Sequence, residues 1–135
     1  MVIVDKEIQS TFDAVHDFVI EALDKIHELN IPEIDEISFK MNIMLREVLN
    51  NAVEHGNKFD SEKKVSCKIK YNDRKFIFRI QDEGQGFEID EFYKMQKGFT
   101  MKHRSRGLDL IEKYDFKYEF DGNIVIVKYF LDEER

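Results

Sequence analysis

Up to Gly56 apolar residues recur at helical spacing, and beyond it they switch to alternation, a change that predicts helices followed by paired strands. Val2, Ile3 and Val4 read as a short opening strand, after which Ser10 opens a helix with Asp13 placed to reach back as in a capping box. Phe12, Val15, Val19, Ala22, Leu23, Ile26 and Leu29 form its apolar stripe, which ends near Asn30. Pro32 separates it from a second helical run striped by Ile37, Met41, Met44, Leu45, Val48 and Ala52 and closed by Gly56. Val65, Cys67, Ile69 and Tyr71 then alternate with Ser66, Lys68 and Lys70; a tight turn at Asn72-Asp73 leads to Phe76, Phe78 and Ile80 on one face. Residues 83–106 read as a loop, Gly107 to Tyr114 as a short helix, and Phe116–Asp121 with Ile124–Leu131 as a final hairpin around Gly122-Asn123. The order βααββαββ implies an α+β fold: two layers, with helices on one face of a mostly antiparallel mixed sheet.

Length and composition narrow this to one soluble domain, residues 1–135, with 42% hydrophobic and 36% charged positions. A chain of this size buries roughly two thirds of its unfolded surface, so its core needs neither disulfide nor metal. Cys67 stands alone, which excludes an internal disulfide, and the histidines are too dispersed for a zinc site. No basic leader precedes an apolar run, and no stretch approaches the roughly 18 apolar residues that span a bilayer. The expectation is a cytoplasmic protein that does not enter a membrane. The net charge of −7 argues against general nucleic-acid binding. That charge is uneven: residues 1–36 hold ten acids and two bases, whereas residues 92–106 hold five Lys or Arg and no acid. Such a basic segment suits a small anion, or is simply a solvated basic loop.

Chemistry concentrates in three places. Continuing the face of Phe76, Phe78 and Ile80 by two residues lands on Asp82, so a carboxylate points the way the core residues do. A buried polar group without a partner costs about 2–7 kcal/mol, and an ionised one more. Asp82 therefore emerges at the strand end in an Asx-turn, or it meets a donor such as the exocyclic amine of adenine. Gly84 and Gly86 follow it and let backbone approach a flat ligand. On the second helix Glu47, Asn51 and His55 fall at i, i+4 and i+8, a polar stripe beside the apolar one. An Asn carbonyl there suits one position of an octahedral Mg²⁺, and a Glu one turn away can orient or deprotonate a hydroxyl. The basic segment ends in Arg106-Gly107 at a predicted helix start, where phosphate is favoured.

Glu47-Val48-Leu49-Asn50-Asn51-Ala52 with His55-Gly56, then Asp82-Glu83-Gly84-Gln85-Gly86-Phe87, then Arg106-Gly107-Leu108-Asp109-Leu110-Ile111 together resemble the three nucleotide boxes of the GHKL ATPase superfamily. Within it, the small size, short lid and leading Glu resemble the bacterial anti-sigma factor serine/threonine kinases. The resemblance implies a Bergerat-type ATP-binding fold, ATP and Mg²⁺ as ligands, and a kinase acting on an anti-anti-sigma-like protein. It implies Glu47 as general base, Asn51 as Mg²⁺ ligand, and Asp82 as adenine reader. Gly84 and Gly86 would border the adenine. His55 belongs to the same nucleotide set, Gly107 and Leu108 would offer backbone to the phosphates, and Lys102, His103, Arg104 or Arg106 would close over the γ-phosphate. Ser105 replaces the usual first glycine of the third box, Asp109 stands where a small or apolar residue is usual, and Gly122-Asn123 replaces a Gly-Thr. The alternative function is a nucleotide-dependent sequestering module or a weak ATPase. The acidic first helix would then offer a surface to a basic partner, such as part of a sigma factor, or to a second copy.

One string imitates something else. His27-Glu28-Leu29-Asn30-Ile31-Pro32 resembles the phosphoacceptor motif of histidine kinases, but only 20 residues separate His27 from Glu47, too few for the two long helices of a dimerisation hairpin. His27 is instead expected on the surface at the end of the first helix.

Overall fold

The computed structural model describes residues 1–84 and 116–131. Strand β1 (Val2–Gln9) leads into helix α1 (Phe12–His27) and helix α2 (Ile34–Asn51), whose end continues as a π-helical turn, Ala52–Gly56. Strands β2 (Lys64–Asn72), β3 (Lys75–Gln81), β4 (Lys117–Asp121) and β5 (Ile124–Phe130) follow. They form one sheet in the order β1-β2-β3-β5-β4. Every pairing among the described residues is antiparallel, so the α+β expectation holds while the mixed character does not appear among them. The predicted helix from Gly107 to Tyr114 and most of the predicted 83–106 loop lie outside the described residues.

Alternation builds the sheet's inner face. Ile69 pairs with Phe78, and Phe78 with Val127, so three buried side chains from β2, β3 and β5 form one cross-strand row. Rows of this kind meet Phe18, Val19, Ile26, Met41, Met44, Leu45 and Leu49 from the helices in a single core. Each fully buried aliphatic or phenyl side chain there contributes about 1.5–3 kcal/mol.

Several local expectations shift. Strand β1 runs to Gln9 rather than stopping at Val4, because Val4, Lys6 and Ile8 keep a period of two against Ile69, Cys67 and Val65. Lys6 breaks the apolar pattern, yet its ammonium reaches Glu21 on α1 at 2.8 Å. The longer strand pushes the helix start onward, and Thr11 rather than Ser10 caps α1 by accepting from Ala14 N at 3.1 Å. Phe12 leaves the stripe and stands exposed, its ring edge-on to Phe59, while Phe18 takes the buried position. The first hairpin turns at Asp73-Arg74, one residue later than expected. Both have positive φ, as a two-residue turn that follows the sheet's twist requires. His27 ends α1 as an exposed residue within 3.0 Å of Leu23 O, in line with a surface role.

Candidate functional site

The end of β3 meets the end of the long helix, and the contact between them builds the site. Phe76, Phe78 and Ile80 are buried, and period two carries Asp82 inward after them, leaving it 7% exposed. Gly84 N donates to Asp82 Oδ1 at 2.8 Å, which is the Asx-turn that the sequence allows. Burial pushes the carboxyl above its ordinary value; the Gly84 hydrogen bond and the charge of Lys63 pull it back. The turn takes one oxygen, while Oδ2 is turned toward Gly56.

Two glycines make room for that carboxylate. A Cβ on Gly56 would overlap Oδ2 and Cγ of Asp82, and a Cβ on Gly84 would overlap the carbonyl of Gly56. The helical run ends at Gly56 as expected, but without the left-handed φ of a glycine cap, which among the described glycines only Gly122 has. What Gly56 supplies is close approach. It reaches Asp82 because the helix widens: Asn57 N donates to Ala52 O at 2.8 Å, five residues back, closing the π turn.

That turn also revises the polar stripe. Glu47 and Asn51 lie one α-helical turn apart, ~6 Å along the axis, as the spacing implies. Asn51 is the last residue of α2, so His55 falls in the wider turn and is not the next step of the same stripe. Its Nε2 is buried with no hydrogen bond among the described residues, and lies 3.8 Å from Glu54 Oε2. Burial, then the nearby Lys58 charge, holds the imidazole below its ordinary value and so favours its neutral form. The buried Asn50 Oδ1 likewise has no hydrogen bond among the described residues. Among the described residues these two atoms, a carboxamide oxygen and an imidazole nitrogen, meet no hydrogen-bond partner, and a polar ligand is one group that could satisfy them.

The structure thus joins Gly56, Asp82 and Gly84 by direct packing and places Glu47, Asn51 and His55 on the helix leading to Gly56. Gly86, Lys102, His103, Arg104, Arg106, Gly107 and Leu108 lie outside the described residues. Sequence reasoning did not single out Asn50, Asn57 or the Asn123 side chain for the site. Asn50 lies within the first box without a role of its own, Asn57 directly follows its Gly56, and Asn123 entered as a turn residue and as half of the Gly122-Asn123 that replaces a Gly-Thr.

A model of the histidine kinase-like ATPase domain matches residues 11–129. The chain belongs to this family. It is 27% identical to the sensor protein VraS of Staphylococcus aureus over 109 residues, which is 76% of this chain and 30% of that one. The chain therefore spans about three tenths of the length of the curated relatives it matches. In structure it is similar to the histidine kinase domain of the Erythrobacter litoralis blue-light activated histidine kinase, with TM-score 0.55 and 13% identity, covering 87% of this chain and 61% of that one. It is similar too to the histidine kinase AdeS of Acinetobacter baumannii, at TM-score 0.55 and 16% identity, with 98% and 70% covered. The GHKL likeness of the three boxes is a family membership, and the chain is a histidine kinase-like ATP-binding domain. The relatives carry sensor and histidine kinase names, so the narrower likeness to anti-sigma kinases stands apart from these findings. No helix among the described residues is long and apolar enough to cross a membrane.

Proposed function

We propose that this domain binds Mg-ATP and transfers the γ-phosphoryl group to a serine hydroxyl on a small partner protein. The observation that carries the reading is Asp82, a carboxylate 7% exposed at a strand end, packed against two glycines. A purine amine is the donor that such a carboxylate accepts from, and bare backbone around it suits a flat ring. Glu47 orients the hydroxyl, in the role that a positioned carboxylate plays in phosphoryl transfer. Among the described residues no three His, Cys, Asp or Glu side chains form a metal cage. Asn51 would hold a Mg²⁺ through its side-chain oxygen, and the ion would supply charge neutralisation to the phosphates. The partners are an anti-anti-sigma-like protein and a sigma factor. The acidic surface of α1, with Asp13, Asp17 and Asp24 exposed, favours a basic partner face.

Calorimetry with Mg-ATP tests the nucleotide role: Asp82→Asn weakens binding by roughly tenfold or more, the worth of one hydrogen bond to a charged group. Unchanged affinity sinks the adenine assignment. Glu47→Ala keeps ATP binding and abolishes labelling of extract proteins from γ-labelled ATP; undiminished labelling removes Glu47 as base.

The names of the relatives favour a second reading, in which the acceptor is a histidine. Acid treatment of the labelled product decides, since a phosphoserine ester survives acid and a phosphohistidine hydrolyses.

A further inference from the structure

The ladder of β3 ends at Gln81, paired with Ser66 on one side and Ile124 on the other. Past that point the main chain loses strand neighbours, and its hydrogen bonds pass to two asparagines. The peptide joining Asp82 to Glu83 is gripped at both ends: Asn123 Nδ2 donates to the Asp82 carbonyl at 2.6 Å, and Glu83 N donates to Asn57 Oδ1 at 2.7 Å. Asn123 also accepts from Asp82 N through its own carbonyl at 3.2 Å. Asn57 is 1% exposed. Its Nδ2 donates to Ser10 Oγ at 3.1 Å and to Lys64 O at 3.0 Å, so one carboxamide ties together the ends of β1, β2 and β3. Flipping it would set its oxygen against the Lys64 carbonyl and its amine against the Glu83 N–H, so the network allows one orientation. The Glu83 carboxylate adds a further tie, accepting from Lys64 N at 2.6 Å.

Holding both ends of a peptide plane fixes the dihedral on each side of it, and with them the direction in which the preceding side chain leaves the backbone. We propose that Asn57 and Asn123 are positioning residues for base specificity: they hold the 82–83 peptide so that the Asp82 carboxylate meets the six-position amine of adenine. The inference rests on the proposed adenine role of Asp82.

Calorimetry with Mg-ATP and Mg-ITP tests it, because inosine carries a carbonyl in place of the amine. The wild type prefers ATP by at least roughly tenfold, the worth of a hydrogen bond to a charged group against its loss. In Asn57→Ala and in Asn123→Ala that preference collapses, through weaker ATP binding, while ITP affinity stays within about twofold. A structural role alone would weaken both nucleotides in parallel with a lower melting temperature, and that result overturns the proposal. So does full ATP preference in Asn57→Ala. Where Asn57→Ala does not fold, Asn123→Ala decides, since it removes one side chain from a hairpin turn. A wild type that fails to distinguish ATP from ITP removes the adenine role of Asp82 itself. A wild-type preference that survives both substitutions removes only the role of the asparagines.

Discussion

Strand β3 keeps one alternation from end to end and meets opposite surroundings at its two ends. At the Lys75 end, Phe76 is fully buried, its ring 4.7 Å from Tyr71 and 6.1 Å from Phe78, with Tyr129 as its cross-strand partner. At the other end the same face presents Asp82 to Gly56 and Gly84. Period two decides which way a side chain points; the element packed opposite decides whether that direction meets apolar side chains or bare glycine backbone. The apolar end supports stability, and the polar end, just past Gln81, is where the proposed adenine recognition sits.

The largest effect expected from breaking this contrast is at the apolar end. Phe78→Ala removes about 3–5 kcal/mol of stability in urea denaturation, while the folded fraction keeps its ATP affinity. Loss of affinity without loss of stability would show that the two ends are not separable. Gly56→Ala acts at the polar end, where the added methyl meets Asp82. It costs about 1–3 kcal/mol as overpacking and takes Mg-ATP binding below detection by calorimetry; retained binding would show that the carboxylate does not need that space.

A pH series sharpens the contrast further. Asp82 holds its proton more tightly folded than unfolded, so its ionised form opposes folding. Its contribution to stability is most favourable below the ordinary carboxylate range and is lost as pH rises through the raised folded value. ATP affinity runs the other way, since accepting from the adenine amine needs the ionised carboxylate: it falls as pH drops through the same raised value. Asp82→Asn flattens both slopes, read by chemical denaturation and by calorimetry across the acidic range; slopes that persist assign them to another group. The smallest effect is at the β2–β3 turn, remote from the polar end in the strand's register. Arg74→Gly relieves a left-handed residue with φ 60 and stabilises by no more than about 1 kcal/mol, with ATP affinity unchanged.

The fold was legible wherever one periodicity dominated. The α2 stripe of Ile37, Met41, Met44, Leu45 and Val48 is buried, as are Val65, Cys67 and Ile69 on β2. It blurred where a polar residue interrupted the apolar alternation, as Lys6 does on β1, because its partner Glu21 belongs to another element. The Asp82-x-Gly84 pair and the helix run Glu47–Asn51 were legible as composition at fixed spacing, and the inward direction of Asp82 followed from counting by two.

What the sequence alone determined is local: the period of each element, the buried face, and the carboxylate that falls on that face. Tertiary packing decided the rest. Glu83 N meets Asn57 across 26 positions and Asp82 O meets Asn123 across 41, and Gly56 leaves room for a carboxylate that the chain reaches only after β3. Hydrogen bonds and steric limits act over a few ångströms of space. Which residues come that close depends on the widened turn after α2 and on the placement of the β4–β5 hairpin beside β3, and no spacing along the chain encodes either.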